Sequence, residues 1–134
     1  LDLYESSEEA QHLFEDANEI LGFHITDTMF EGDADALKQT KVTQPAIFLH
    51  SVILAKILGD RFQPDMVAGH SLGEYSALAC AKYLNFSDTI KILKQRGAAM
   101  QNAVPKGLGG MLAILGSSTE NVENLLHEYL LYQE

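Results

Sequence analysis

The pentapeptide Gly69-His70-Ser71-Leu72-Gly73 constrains this chain more than any other feature. It follows a short apolar run, Met66-Val67-Ala68, and opens onto Glu74-Tyr75-Ser76-Ala77-Leu78-Ala79, which favours helix. Strand, G-x-S-x-G, then helix is the context of a nucleophile elbow. Such a turn is tight enough to strain the serine backbone. Glycines on both sides let strand and helix approach without a side-chain clash. The serine oxygen is thereby presented at the end of a strand. The amides that follow sit at a helix N-terminus, where negative charge is stabilised. Standing alone, the pentapeptide is short enough to arise by chance, so its flanks carry the weight.

The 134 residues suffice for one ordinary domain, and a hydrophobic fraction of 46% permits a packed core rather than disorder. No apolar run is expected to reach the length needed to span a bilayer, and the start, Leu1-Asp2-Leu3, is not a secretory signal. Without an initiator methionine there, the polypeptide is expected to begin before Leu1. A single cysteine, Cys80, excludes an internal disulfide and fits a reducing cytoplasm. Its Ala-rich surroundings point to a buried structural thiol. The net charge of −10 argues against a general electrostatic surface for nucleic acid. Lys82, Lys91, Lys94, Arg96 and Lys106 cluster in sequence, whereas acidic residues crowd the first third. They form either a local basic surface for an anionic ligand or ordinary solvated helix faces.

Helix signals dominate the chain. Ser6-Ser7-Glu8-Glu9 reads as a capping box with Ser6 as N-cap, and Leu13, Phe14, Ala17, Ile20 and Leu21 give one apolar face that stops at Gly22. Thr26–Phe30 and the stretch from Asp33 to Leu37 suit short helices. From Thr43 to Leu58, with Pro45 in the first turn, apolar residues lie almost all round, so that helix must be buried on most sides. The helix after the elbow is expected to run to about Asn85, and Ser87 to cap the next one, through Ala103. Val104-Pro105-Lys106-Gly107 breaks the chain. Gly110–Leu115 reads as a strand, and Ser117–Tyr132 as an amphipathic helix with Val122, Leu125, Leu126, Tyr129 and Leu130 inward. Two strands cannot form the sheet that a buried elbow strand requires on both its edges. The chain is therefore expected to be part of a larger protein that also continues past Glu134.

The elbow and its flanks resemble the malonyl-CoA:acyl-carrier-protein transacylase family of bacterial type II fatty-acid synthesis. The matching stretches are Val42-Thr43-Gln44-Pro45-Ala46, Ala68 to Leu78, Arg96-Gly97 with Met100-Gln101, Ala103-Val104-Pro105, and Met111 to Gly116. They cover essentially the whole chain, in the family's order and spacing. The resemblance implies an α/β fold: residues 1–107 as part of an α/β-hydrolase-like large subdomain with a parallel sheet, and 108–134 as the first strand and helix of a ferredoxin-like small subdomain. This piece would itself be mostly helical. The family's opening strand and its Gly-Gln-Gly-Ser-Gln-like loop, whose glutamine helps hold the oxyanion, have no counterpart here. Neither does its catalytic histidine, which lies well downstream.

The resemblance implies that Ser71 is the nucleophile carrying an acyl group between two thiols by ping-pong chemistry, from malonyl-CoA to acyl carrier protein. No cofactor, metal, nucleic acid or membrane is called for. A serine hydroxyl needs a base within hydrogen-bond reach. None of the five histidines matches the family's base. His12, His24 and His127 read as surface or interface residues and His50 as a core histidine. His70 adjoins the nucleophile but leaves the turn in another direction. The backbone N–H of Leu72 is the expected oxyanion donor. Gln44 matches a family glutamine near the active site and is read as ordering the oxyanion loop; by residue type alone it is equally a polar residue at a helix start. Arg96 matches the family's carboxylate-binding arginine, whose planar guanidinium takes the free malonyl carboxylate through two parallel hydrogen bonds. Met100, one turn later on the same face, would line that pocket.

Two other readings compete. A serine hydrolase of the α/β-hydrolase or lipase type shares the elbow but has no use for Arg96. A non-catalytic interaction module made from half an acyltransferase needs neither base nor oxyanion loop. On its own the fragment is expected to be inactive, and to aggregate or bind a partner through its open strand edges.

Overall fold

Helix α5 (Thr40–Leu58) is the element on which the first part of the chain is assembled. The computed structural model describes residues 1–37, 39–104, 107–109 and 113–131. The chain divides into two units, Leu1–Val104 and Pro105–Glu134.

In the first unit α1 (Asp2–Glu5), α2 (Glu8–Leu21), α3 (Ile25–Glu31) and α4 (Ala34–Leu37) precede α5. A 3-10 turn at Gly59–Arg61 and an extended segment then lead to α6 (Leu72–Cys80) and α7 (Phe86–Ala103). Helix α5 packs against α2, α6 and α7, and α2 also packs on α7. Phe14, Ile25, Phe48, Leu49, Ile53, Ile90 and Leu93 form the buried centre. Tyr4, Phe14 and Phe30 meet with ring centroids 5.4–5.7 Å apart, which ties α1 and α3 onto α2. Buried Asn18 of α2 exchanges hydrogen bonds with Thr26 of α3, donating to its hydroxyl at 3.0 Å and accepting from its amide at 3.3 Å.

Local chemistry sets the helix ends, with several shifts from the sequence reading. Ser7, not Ser6, caps α2, its hydroxyl accepting from the Ala10 amide at 3.1 Å. Gly22 stops that helix at φ 77°. Asp33 accepts from the Ala36 amide at 2.7 Å to start α4. Pro45 lies inside α5 rather than in its first turn, because the helix already begins at Thr40. Asn85, not Ser87, caps α7, accepting from the Asp88 amide at 2.7 Å. Helix α6 ends at Cys80, short of Asn85.

The span Lys41–Arg61 is long and apolar enough to cross a membrane by length and composition, with mean hydropathy 1.4. This corrects the expectation that no apolar run reaches that length. Here the span is the central packing helix of the unit, with Phe48, Leu49, Val52 and Ile53 in the core. Burial on most sides is only partly met. Ile47, His50 and Leu54 lie one turn apart along an exposed stripe, so His50 is a surface residue, not a core histidine.

Among the described residues there is no β-strand. Met66-Val67-Ala68 belongs to no helix or strand, and Met66 is 90% exposed. An extended segment becomes a strand only when a neighbour takes up its amides and carbonyls, and no such neighbour lies among the described residues.

In the second unit α8 (Thr119–Leu131) begins where Ser118 accepts from the Asn121 amide at 3.2 Å. Residues 113–115 form no strand. Leu125, Leu126 and Tyr129, expected inward, are exposed. Among the described residues of this unit α8 is the only helix, and a single helix cannot bury its own apolar stripe. The breaker at Pro105-Lys106, the strand residues Gly110–Leu112, the Leu130 side chain and the helix end at Tyr132 lie outside the described residues.

Candidate active site

The extended segment 62–69 meets α6 at the Gly69–Gly73 pentapeptide, and the turn there leaves little space. A Cβ on Gly69 would fall 1.9 Å from the Gly73 carbonyl and 2.5 Å from the Glu74 nitrogen. No side chain fits, so glycine at 69 is a condition of the turn. At Gly73 nothing lies within 4 Å of the equivalent position, so the two glycines are not equivalent. The Gly73 amide donates to the His70 carbonyl at 2.9 Å and the Glu74 amide to the Ser71 carbonyl at 3.3 Å, closing the first turn of α6.

Ser71 stands between these two glycines at φ 55° and ψ −112°. A non-glycine residue there is strained, and such strain concentrates at functional sites. The side chain is exposed and makes no cap bond to the helix. Leu72 is the first residue of α6, where helix amides lack intrahelical acceptors and carry the positive end of the helix dipole.

Three further elements of the reading converge on this serine. Arg96, on α7, donates through Nη2 to Ser71 Oγ at 3.1 Å. Its Nη1 donates to Oε1 of Gln44, on α5. Gln44 is buried, and its Nε2 contacts the Met100 sulfur at 3.1 Å. Ser71, Arg96, Gln44 and Met100 thus form one chain of contacts from two helices, α5 and α7, and the turn before α6. Gln44 appears here as the residue that holds Arg96. Met100 is 41% exposed and backs Gln44 rather than enclosing a pocket.

Tyr75, not singled out from the sequence, completes the group. The Arg96 guanidinium carbon lies 5.6 Å from its ring centroid, within cation–π range. Tyr75 follows Ser71 by four residues and lies in the first turn of α6, at whose N-cap Ser71 stands. That spacing was the available signal, but only the packing of α7 on α6 gives it meaning.

His70 is exposed and is not hydrogen-bonded to Ser71, and His12, His24, His50 and His127 are exposed as well. Among the described residues, no histidine of the first unit is hydrogen-bonded to the serine oxygen, whose partner is Arg96. Cys80 lies at the end of α6, and burial raises its thiol pKa above the usual value, which keeps it protonated and inert. Among the described residues no group of three or more His, Cys, Asp or Glu side chains is placed to hold a metal.

The site thus consists of an exposed, strained serine at a helix N-terminus with an arginine on its oxygen. Residues 1–127 match the acyl transferase domain family, and the chain belongs to that family. It is 42% identical over 125 residues to the malonyl CoA-acyl carrier protein transacylase of Bacillus subtilis, covering 92% of this chain and 39% of that protein. An acyl carrier protein S-malonyltransferase from Vibrio cholerae superposes with a TM-score of 0.83 at 39% identity, over 95% of this chain and 42% of that one. A malonyl-transacylase solved in complex with its type II PKS acyl-carrier protein superposes with a TM-score of 0.84 at 35% identity, over 95% of this chain and 42% of that one. The chain therefore spans about two fifths of the length of the curated relatives it matches.

Proposed function

We propose that this chain carries the nucleophile and the acyl-selecting arginine of a malonyl-CoA:acyl-carrier-protein transacylase of fatty-acid synthesis. The observation that carries the reading is the 3.1 Å contact between Arg96 and Ser71 Oγ. It sets a permanent cation beside the atom that would bear the acyl group. A malonyl group on Ser71 ends in a free carboxylate, and a guanidinium is the matching fork for it. A serine hydrolase acting on neutral esters gains nothing from that placement and is not favoured.

In this reading Ser71 Oγ attacks the malonyl thioester carbonyl and loses its proton to a base. The oxyanion takes the Leu72 N–H as one donor. The carbonyl re-forms, and the coenzyme A sulfur leaves and is protonated. The carrier-protein thiol then attacks the acyl-serine, and the serine leaves with its proton restored. Gln44 fixes Arg96, and Met100 backs Gln44. The base and the second oxyanion donor are assigned to the family's downstream histidine and N-terminal glutamine. Both belong to segments without a counterpart in these residues. On the same grounds residues 1–107 are assigned to the large, α/β-hydrolase-like subdomain with its parallel sheet, and 108–134 to the start of the ferredoxin-like one. The cytoplasm is the compartment that fits such a soluble synthesis.

The test is intact mass of the full-length protein after brief incubation with malonyl-CoA. One malonyl adduct is expected, and Ser71→Ala should abolish it. Arg96→Ala should lower the malonyl-to-acetyl ratio of kcat/KM about a hundredfold, the worth of one to two charged hydrogen bonds. An adduct that survives Ser71→Ala, or an unchanged ratio in Arg96→Ala, would remove the respective assignment.

A further inference from the structure

We infer that Tyr75 is a specificity-positioning residue, whose ring holds the Arg96 guanidinium in place so that its free N–H groups are available to an acyl carboxylate at Ser71. The inference rests on the malonyl-transfer reading of the site.

Arginine is long and loses much rotamer freedom when it is held in one geometry. Three contacts hold Arg96: the Gln44 carbonyl oxygen, the Ser71 hydroxyl and the Tyr75 ring. They are not equivalent during turnover. The Gln44 and Ser71 contacts each use one of the five guanidinium N–H donors. The Ser71 contact also changes on acylation, because the hydroxyl oxygen becomes an ester oxygen and a poorer acceptor. The ring uses no donor and is unchanged in every state of the cycle. It holds the cation from a ring centroid 5.6 Å away without offering an oxygen that would compete with a carboxylate.

Tyr75 is suited to this because it is itself held. It is partly buried against the core cluster, on a helix that packs on α5 and α7. Its ring, not its hydroxyl, meets the cation. The attraction is electrostatic, between the cation and the ring quadrupole, and it strengthens when water is excluded.

The prediction is specific to the ring's electronics. In the full-length protein, Tyr75→Met should lower the malonyl-to-acetyl kcat/KM ratio about five- to thirtyfold, the usual range for such contacts, mainly by raising KM for malonyl-CoA. Tyr75→Phe should restore the ratio. A series of progressively fluorinated phenylalanines at position 75 keeps the shape and weakens the quadrupole, so it remains informative where Tyr75→Met fails to fold. The ratio should fall stepwise along that series. A purely structural role would lower both rates together and leave the ratio flat, which overturns the inference. Arg96→Ala separates the two levels. If Arg96→Ala collapses the ratio and the fluorinated series is flat, Tyr75 alone is misassigned. If Arg96→Ala leaves the ratio intact, the malonyl-clamp reading fails and this inference with it.

Discussion

At Ser71 the backbone sits where an L residue carries about 1–3 kcal/mol of strain. Its side chain contributes nothing to capping α6 and bonds Arg96 instead. Ser71→Gly should therefore raise stability by about 1 kcal/mol, because glycine adopts that conformation freely, while losing the acyl adduct. Ser71→Ala should lose the adduct and keep the strain. Denaturant unfolding of the two variants measures the difference, and equal midpoints would show that the turn stores no strain. Ser71 was legible in its pentapeptide, whereas Arg96 and Gln44 were singled out only by the family resemblance, since each alone reads as an ordinary polar residue on a helix. Tyr75 was not, because its partner is 21 residues away (96 − 75) on another helix. His50 was misread because a helix rich in apolar residues does not reveal which stripe faces outward.

At the scale of elements, the end of α6 shows how a stop can escape notice. The Lys82 amide bonds the Ala79 carbonyl at 3.1 Å and the Tyr83 amide bonds the Leu78 carbonyl at 2.9 Å, with Lys82 at φ 63°. This is a Schellman closure with lysine where glycine is usual. Lys82→Gly should stabilise the protein by about 1 kcal/mol, read as a rise in Tm of roughly 4 °C; a lower Tm would refute it. The sequence offered no glycine there, so the helix was expected to run on. The misplaced caps at Ser6 and Ser87 have a related cause. Adjacent residues offer the same oxygen chemistry, and the path of the preceding chain selects between them. Between α1 and α2, the Tyr4 hydroxyl donates to Glu15 at 2.9 Å and Asn18 donates to it at 3.1 Å. These bonds, Tyr4 first, hold the Glu15 carboxyl below the usual carboxylate range. The folded value lies below the unfolded one. The stabilisation is therefore present above the unfolded value and lost as pH falls through the folded one. Glu15→Gln should make the acid limb of a Tm-versus-pH curve shallower between about pH 6 and about pH 3. Parallel curves would exclude Glu15 as a contributor.

At the scale of the whole molecule, the open surfaces on the first unit decide the behaviour of the isolated chain. A cavity of about 740 Å³ runs along Phe62–Gly69 and the flank of α6. A second, of about 360 Å³, lies between α5, that segment and α6, with Ile47 and Leu54 at its margin. Exposed apolar surface of this kind, beside an unpaired extended segment, favours association. The isolated 134-residue chain should bind a hydrophobic dye and self-associate in light scattering. A dye-silent monomer would contradict that expectation. The sequence by itself determined the turn, most of the helices and the serine of the pentapeptide. Those depend on periodicity, caps and short motifs, which are local in the chain. Only the tertiary structure decided that Arg96 reaches Ser71, that Gln44 holds it and that Tyr75 lies beneath it. It also decided that residues 66–68 form no strand. These features depend on which surfaces of separate elements meet, and a strand exists only when a second segment accepts its hydrogen bonds.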